Sequence, residues 1–216
     1  LGMRERPDHT SGLQACAAVG QCELMFLYDK LFSEYGVVVS QLLFTGYTLN
    51  HPEEKAHLVD TFNQLLEYDA LPIVNENDSV SVEELLHGDN DCLSATVAQL
   101  IGADLLILLS DIDGLYDRDP RRDPDAKLIE TVPVIDARIL SLAGDKGSEL
   151  ATGGMVTKLH AAQIATAAGC EMVIANGEKP EVLYDIVGGK RVAERGDLGA
   201  VGVKRRRARI IVHRLL

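Results

Sequence analysis

A chain of 216 residues, 46% apolar and 25% charged, is long enough for one generous globular domain with a real core. Its net charge of −12 argues against a general nucleic-acid or anionic-membrane surface, and no apolar run approaches the roughly 20 residues that cross a bilayer. Nothing at the N-terminus resembles a signal peptide; Leu1-Gly2 carries no initiator methionine and reads as the inside of a loop, as in an incomplete copy of a longer protein.

Taken in order, residues 13–35 read as a helix with Val19, Leu24, Leu27 and Leu31 at helical spacing and Gly36 as its stop. Its apolar face reads most simply as core. The β-branched run over 37–44 reads as a buried strand, and Pro52-Glu53 opens a helix to about residue 67 with Leu58, Phe62, Leu65 and Leu66 on one side. A short strand over 71–74 runs into Asn75-Glu76-Asn77-Asp78, and 79–87 reads as a hairpin or excursion. Gly88-Asp89-Asn90-Asp91 then leads into a helix over 92–101. The run over 104–109 is the cleanest buried strand and ends at Ser110-Asp111, before a loop rich in Asp, Arg and Pro over 117–125. A Gly153-Gly154 turn, a helix over 156–168 and a strand over 171–175 follow.

Strands alternating with helices of about a dozen residues imply right-handed crossovers and a mostly parallel sheet covered on both faces. Ligands of such sheets bind beyond the carboxyl ends of the strands, where the polar clusters fall. The four cysteines form no C-x-x-C pair and read as buried thiols of a reducing cytoplasm. The six histidines lack ligand spacing, so no metal site made by protein side chains alone is expected. The basic run over 204–209 reads as a solvated tail, although such runs also bind nucleic acid.

Three segments have the composition for chemistry. In Thr152-Gly153-Gly154-Met155-Val156-Thr157-Lys158, two glycines before a helix let backbone N–H groups approach an anion, and a hydroxyl and an ammonium follow in the first turn. This is not the Walker order, and a Gly-Gly pair alone is usually only a turn. The clusters Asn75 to Asp78 and Gly88 to Asp91 hold four carboxylates and three amides, the groups a zwitterionic amino acid needs. Capping of the following helix by Asn90 or Asp91 accounts for one or two of them. Ser110-Asp111, just past a buried strand, suits nucleotide or magnesium and equally suits a turn.

Together these segments resemble the glutamate 5-kinases, a branch of the amino acid kinases, over residues 1–189. The carriers are Gln14-Ala15 through Ala18-Val19-Gly20-Gln21, Pro72-Ile73-Val74-Asn75-Glu76-Asn77-Asp78, Gly88-Asp89-Asn90-Asp91 with Leu93-Ser94-Ala95, Leu109-Ser110-Asp111 with Gly114-Leu115-Tyr116, and Thr152-Gly153-Gly154-Met155 with Thr157-Lys158. The resemblance implies an α/β fold, a three-layer αβα sandwich with a mostly parallel central sheet. It implies ATP with Mg2+ as phosphoryl donor and the L-glutamate γ-carboxylate as acceptor, yielding glutamyl 5-phosphate for proline biosynthesis. Asp78 and Asn90 would hold glutamate, with Asn75 and Asp89 supporting the pocket. Ser110, Asp111 and the segment Thr152, Gly153, Gly154, Met155, Val156, Thr157 and Lys158 would contact nucleotide. Lys158 would neutralise the transferring phosphoryl group, and Asp91 would orient it. Lys179 would lie near the nucleotide. A cytoplasmic homo-oligomer, with an acyl-phosphate reductase as partner and no nucleic acid or membrane, completes the expectation.

The sequence departs from the family at both ends. The family's first strand, with its lysine-bearing phosphate loop, and a Ser-Gly-Ala substrate turn are not in these residues, and His57 stands where asparagine is usual. Residues 1–190 therefore read as a kinase domain lacking its first strand, and 191–216 as a divergent basic tail. The same fold acting on another small acceptor, or a non-catalytic glutamate-binding remnant, are the alternatives.

Overall fold

The computed structural model describes residues 2–3, 5–81, 90–143, 154–188, 199–200 and 210–214. Asp89, Thr152, Gly153 and the basic run 204–209, as well as most of the expected excursion over 79–87, lie outside the described residues. Packing groups the chain into two compact units, Leu1–Gly88 and Asp89–Leu216.

The first unit opens with helix α1 (Thr10–Ser33), closed at Gly36, whose φ of +69° is open to glycine at little cost. Strand β1 (Val39–Phe44) follows, then the short α2 (Gly46–Asn50) and α3 (Pro52–Glu67), and finally β2 (Leu71–Glu76). Proline at its first position and Glu53 and Glu54 in the first turn suit α3 to its start, and it buries Leu58 and Phe62. The crossover lays β2 parallel to β1, in register from Val39 opposite Leu71 to Phe44 opposite Glu76. The expected burial of α1 is overturned. It buries no residue, and Phe26 and Leu31 are 60% and 58% exposed. Its apolar residues spread around the helix, and a two-stranded ribbon with strands about 4.8 Å apart is too narrow to cover them.

The second unit is a sheet of order β5-β4-β3-β6, made of β3 (Leu105–Ser110), β4 (Glu171–Asn176), β5 (Gly199–Ala200) and β6 (Ile210–Arg214). β3 is parallel to β4 and β6, and β5 alone runs antiparallel. Every residue of β3 is buried, as its unbroken apolar run predicts. On one face Leu105, Ile107, Leu109, Val173 and Ala175 pack with Ile186 of α7 (Val182–Gly188). The alternate residues Met172 and Ile174 face α6 (Met155–Ala167), so helices cover both sides. Helix α4 (Asn90–Leu100) packs on α6, and α5 (Ala137–Leu142), capped by the Asp136 carboxylate accepting from the Ile139 N–H at 2.9 Å, adds Ile139 to a cluster with Leu115 and Leu159. This is the expected αβα layering with parallel central strands. Strand β6 is new: it lies in the stretch read as tail and pairs with β3 from Ile210 opposite Leu105 to Arg214 opposite Leu109.

All four cysteines are free thiols, but only Cys170 is buried; Cys22, expected inside, is exposed on α1. Among the described residues no helix is long and apolar enough to cross a membrane.

Candidate functional site

Helices α4 and α6 each bring an N-terminal turn to one place in the second unit. Asp91 sits in the first turn of α4, where the helix dipole favours a carboxylate. Lys158 sits in the first turn of α6, where the same dipole disfavours an ammonium. Both side chains are 3% exposed, and Lys158 Nζ lies 3.1 Å from Asp91 Oδ2. The Thr157 hydroxyl is 2.9 Å from that oxygen and 2.8 Å from the Gly154 carbonyl, and its single proton serves one or the other. Buried charges persist only when paired and hydrogen-bonded, and this pair meets that condition.

Gly154 is the residue before α6. Among the described residues no side chain caps the helix there, and a Cβ built on Gly154 would have nothing within 4 Å. The first-turn amides of an α-helix have no partner within the helix, and helix N-termini of this kind take phosphates. The chain thus brings together Asp91, Gly154, Met155, Val156, Thr157 and Lys158 of the expected residues. Asn90 opens α4, one residue before Asp91.

A second group occupies the carboxyl ends of β3 and β4. Ser110 is buried and its hydroxyl donates to Asp111 Oδ1 at 3.1 Å. The Gly177 N–H donates to the Ser110 carbonyl at 2.8 Å, and a side chain at Gly177 would press on Leu109 Cβ at 3.4 Å. Asn176 donates to Asp113 at 2.9 Å, and the Tyr116 hydroxyl reaches the other Asp113 oxygen at 3.2 Å. Arg121 donates from Nη2 to Asp111 Oδ2 at 2.8 Å. Of these, Asp113, Arg121 and Asn176 escaped the sequence reading; the charged loop was visible, but not which residue it would send to Asp111. Lys179 lies on the turn after β4, its N–H 3.3 Å from the Asn176 carbonyl.

In the first unit, Asn75 and Asp78 stand at and just past the carboxyl end of β2. Asn75 Nδ2 donates to Gln21 Oε1 at 3.1 Å, and Gln21 Nε2 to Gln41 Oε1 at 3.1 Å, so α1, β1 and β2 are tied through three amides. The Asn77 N–H donates to the Phe44 carbonyl at 3.0 Å, and the Val80 and Ser81 N–H groups return to the Asn77 carbonyl, which turns the chain at Asp78. Asp78 Oδ1 is shielded from solvent and has no hydrogen-bond partner among the described residues. That burial pushes the Asp78 carboxyl above its ordinary value of 3.8. An enclosed carboxylate oxygen with nothing to accept is costly unless a ligand donates to it.

Comparison with known proteins follows the same lines. The chain is 52% identical over 187 residues to the glutamate 5-kinase of Clostridium acetobutylicum, covering 87% of this chain and 70% of that one. It is 48% identical over 196 residues to the glutamate 5-kinase of Clostridium perfringens, covering 89% of this chain and 73% of that one. Among solved structures, Escherichia coli aspartokinase III in complex with aspartate and ADP superimposes with a TM-score of 0.55 at 16% identity, covering 91% of this chain and 42% of that one, a likeness of fold. The profile of the amino acid kinase family matches residues 2–176, and the chain belongs to that family.

Proposed function

We propose that the chain is a glutamate 5-kinase, transferring the γ-phosphoryl group of ATP to the γ-carboxylate of L-glutamate at the first step of proline biosynthesis. The observation that carries this reading is the buried Lys158–Asp91 pair at the N-terminal turn of α6. The relatives at about 50% identity point the acceptor to glutamate.

The chemistry asks little of acids and bases. A glutamate side chain, with pKa near 4.3, is ionised at neutral pH, so no general base is needed. A γ-carboxylate oxygen bonds to the γ-phosphorus, the bond from that phosphorus to the bridging oxygen of ADP breaks, and the products are an acyl phosphate and ADP. The difficulty is bringing two anions together, so rate comes from positioning and from fixed positive charge. The first-turn amides from Gly154 to Thr157, with Thr152 and Gly153, cradle the phosphates, and Lys158 neutralises the transferring group. Asp91 orients Lys158. Ser110 and Asp111 contact the nucleotide. Asp78, supported by Asn75, accepts from the glutamate ammonium, and Asn90, supported by Asp89, donates to a carboxylate.

Mg2+ would enter with ATP, held chiefly by the phosphate oxygens. Bound there, it offsets charge on the phosphate oxygens. The free thiols suit a reducing cytoplasm, and the exposed apolar residues of α1 suit a homo-oligomer. An acyl phosphate hydrolyses readily, so a reductase that consumes it is the fitting partner.

The test is ADP release with ATP and a panel of acceptors: glutamate, aspartate, N-acetylglutamate, carbamate and UMP. Hydroxylamine in the mixture captures any acyl phosphate as a hydroxamate. Turnover and hydroxamate with glutamate alone are expected. Turnover only with another acceptor sinks the glutamate assignment, and glutamate binding without ADP release would make the chain a binding module.

A further inference from the structure

Gln21 stands near the middle of α1, a helix that buries no residue, yet its amide is hydrogen-bonded at both ends. Side chains alternate along a strand, so Gln41 and Leu43 of β1 lie on one face of the two-stranded sheet. The register sets Gln41 opposite Ile73 and Leu43 opposite Asn75, which makes Gln41 and Asn75 diagonal neighbours on that face. Two residues of rise and one strand spacing separate their backbones by about 8 Å. Gln21 spans the gap: its Nε2 donates to Gln41 Oε1 at 3.1 Å, and its Oε1 accepts from Asn75 Nδ2 at 3.1 Å.

An amide has a donor end and an acceptor end, and turning it over exchanges them. Gln41 engages the donor end of Gln21, which leaves the acceptor end toward Asn75. Asn75 turned over alone would set its Oδ1 against Gln21 Oε1, two acceptors with no proton between them. The three amides can turn only together, so Asn75 is held more firmly than a single hydrogen bond would hold it.

Asn75 stands at the carboxyl end of β2, three residues before Asp78. In the proposed site it supports the carboxylate that receives the glutamate ammonium, so the direction of its amide bears on what that pocket presents. Gln21 reaches it from an element 54 residues earlier in the chain and acts on glutamate through Asn75.

We propose that Gln21 is a positioning residue of the glutamate site, holding the Asn75 amide in one orientation. The inference rests on the kinase reading above and adds to it a residue of α1. The test is calorimetric titration of the full chain with glutamate and with ADP, beside glutamate and ATP kinetics. The proteins are the unaltered chain, Gln21→Met, Gln41→Met, Asn75→Ala and the double variant of Gln21→Met with Asn75→Ala. Methionine keeps the length of glutamine and removes both ends of the amide. Gln21→Met is expected to weaken glutamate about fivefold, the weight of one neutral hydrogen bond, and to raise its KM by the same factor. The kcat, the KM for ATP and the affinity for ADP stay within about twofold. Gln41→Met, which releases the far end of the relay, weakens glutamate about two- to threefold. Added to Asn75→Ala, Gln21→Met has no further effect on glutamate, whereas a change that merely loosened α1 would act there too. Should Gln21→Met not fold, Gln41→Met, altered at an exposed side chain, decides, and glutamate bound as by the unaltered chain overturns the inference. Gln21→Met that binds glutamate within about twofold of the unaltered chain, or that weakens it equally without Asn75, overturns the inference and leaves the kinase reading standing. An unaltered chain that binds ADP but no glutamate sinks the glutamate reading and this inference with it.

Discussion

Replacing Lys158 by methionine keeps the stem of the side chain and removes its charge. The ammonium is 3.1 Å from Asp91 Oδ2 with both side chains 3% exposed, so the substitution strands a buried carboxylate. Breaking a buried pair from one side costs about 3–5 kcal/mol. The Thr157 hydroxyl, 2.9 Å from the same oxygen, remains to Asp91 and puts Lys158→Met at the lower end. Asp91→Asn leaves a buried ammonium facing a neutral amide and belongs at the upper end. For a chain of this size such losses lower the melting temperature by about 8–15 °C. The double variant strands no charge, so it should cost less than the two single changes added together, by about 2–3 kcal/mol. Activity should behave differently. Loss of one fixed positive group beside the developing charge costs about 10²–10³ in kcat, and the double variant, however stable, lacks that group too. Melting followed by circular dichroism and ADP release measured on the four proteins separate the effects. Turnover restored in the double variant, or Lys158→Met within about tenfold of the unaltered kcat, would refute a chemical role for Lys158. An unchanged melting temperature in both single variants would refute the buried pair.

Three further outcomes follow from the geometry. Burial raises the Asp78 carboxyl above 3.8, so the folded chain binds that proton more tightly than the unfolded one; this contribution stabilises the fold at low pH and declines as pH rises through the window from 3.8 to the raised value. Glutamate binding that needs the carboxylate runs the opposite way, its KM falling as pH rises through that window. Asp78→Asn should leave only the part of the limb due to glutamate's own ionisation near 4.3 and raise KM about 10–100-fold, and a KM unmoved by the change would remove Asp78 from the glutamate site. The Cys170 thiol is pushed up to about 11, mainly by burial and further by Asp104 and Glu171, whereas Cys22 is exposed. At pH 8 only roughly one Cys170 in a thousand is thiolate, so iodoacetamide followed by mass spectrometry should label Cys22 long before Cys170, and equal rates would contradict the burial. Ending the chain after residue 209 strips β6 from β3 and leaves that edge unpaired. A lower melting temperature and self-association by light scattering are expected, and a truncated chain that melts and scatters like the whole would show β6 to be dispensable.

What the sequence made legible was whatever local pattern decides. The apolar run of β3 read as the cleanest buried strand, and spacing was enough to open a helix just past the Gly153-Gly154 turn with Thr157 and Lys158 near its start. Pairings across the chain were not legible from spacing. Asp91 and Lys158 are 67 residues apart; only the family resemblance joined them, and the packing of α4 on α6 is what makes them one ion pair. Arg121 looked like one charge among many in a polar loop until Asp119 fixed its backbone. The strand content of Ile210, Ile211 and Val212 was hidden behind the basic run before it. In α1 the helix was right and the inference of burial was not, because a few apolar residues at helical spacing do not say whether anything covers them. The short helices α5 and α7 have too few turns to announce themselves and are held by Ile139 and Ile186 in the core.

The contrast between the two ion pairs of the second unit bears on how an acidic chain handles anions. A net charge of −12 opposes both ATP and glutamate at long range, so attraction has to be local. In the proposed site Lys158 would supply it from inside, but an ammonium in the first turn of a helix, buried and alone, would be repelled by the dipole and desolvated at once. Asp91 offsets both penalties before any substrate arrives, and it is anchored in a turn whose own dipole favours it. The cation therefore has its orientation fixed, and in the proposed site phosphates entering at Gly154 would add a second anion to it without displacing the first. The Arg121–Asp111 pair stands in the opposite circumstances: its side chains are more than 70% exposed, so water screens it and it contributes little, whereas the 3% exposure of Lys158 and Asp91 leaves their pairing unscreened.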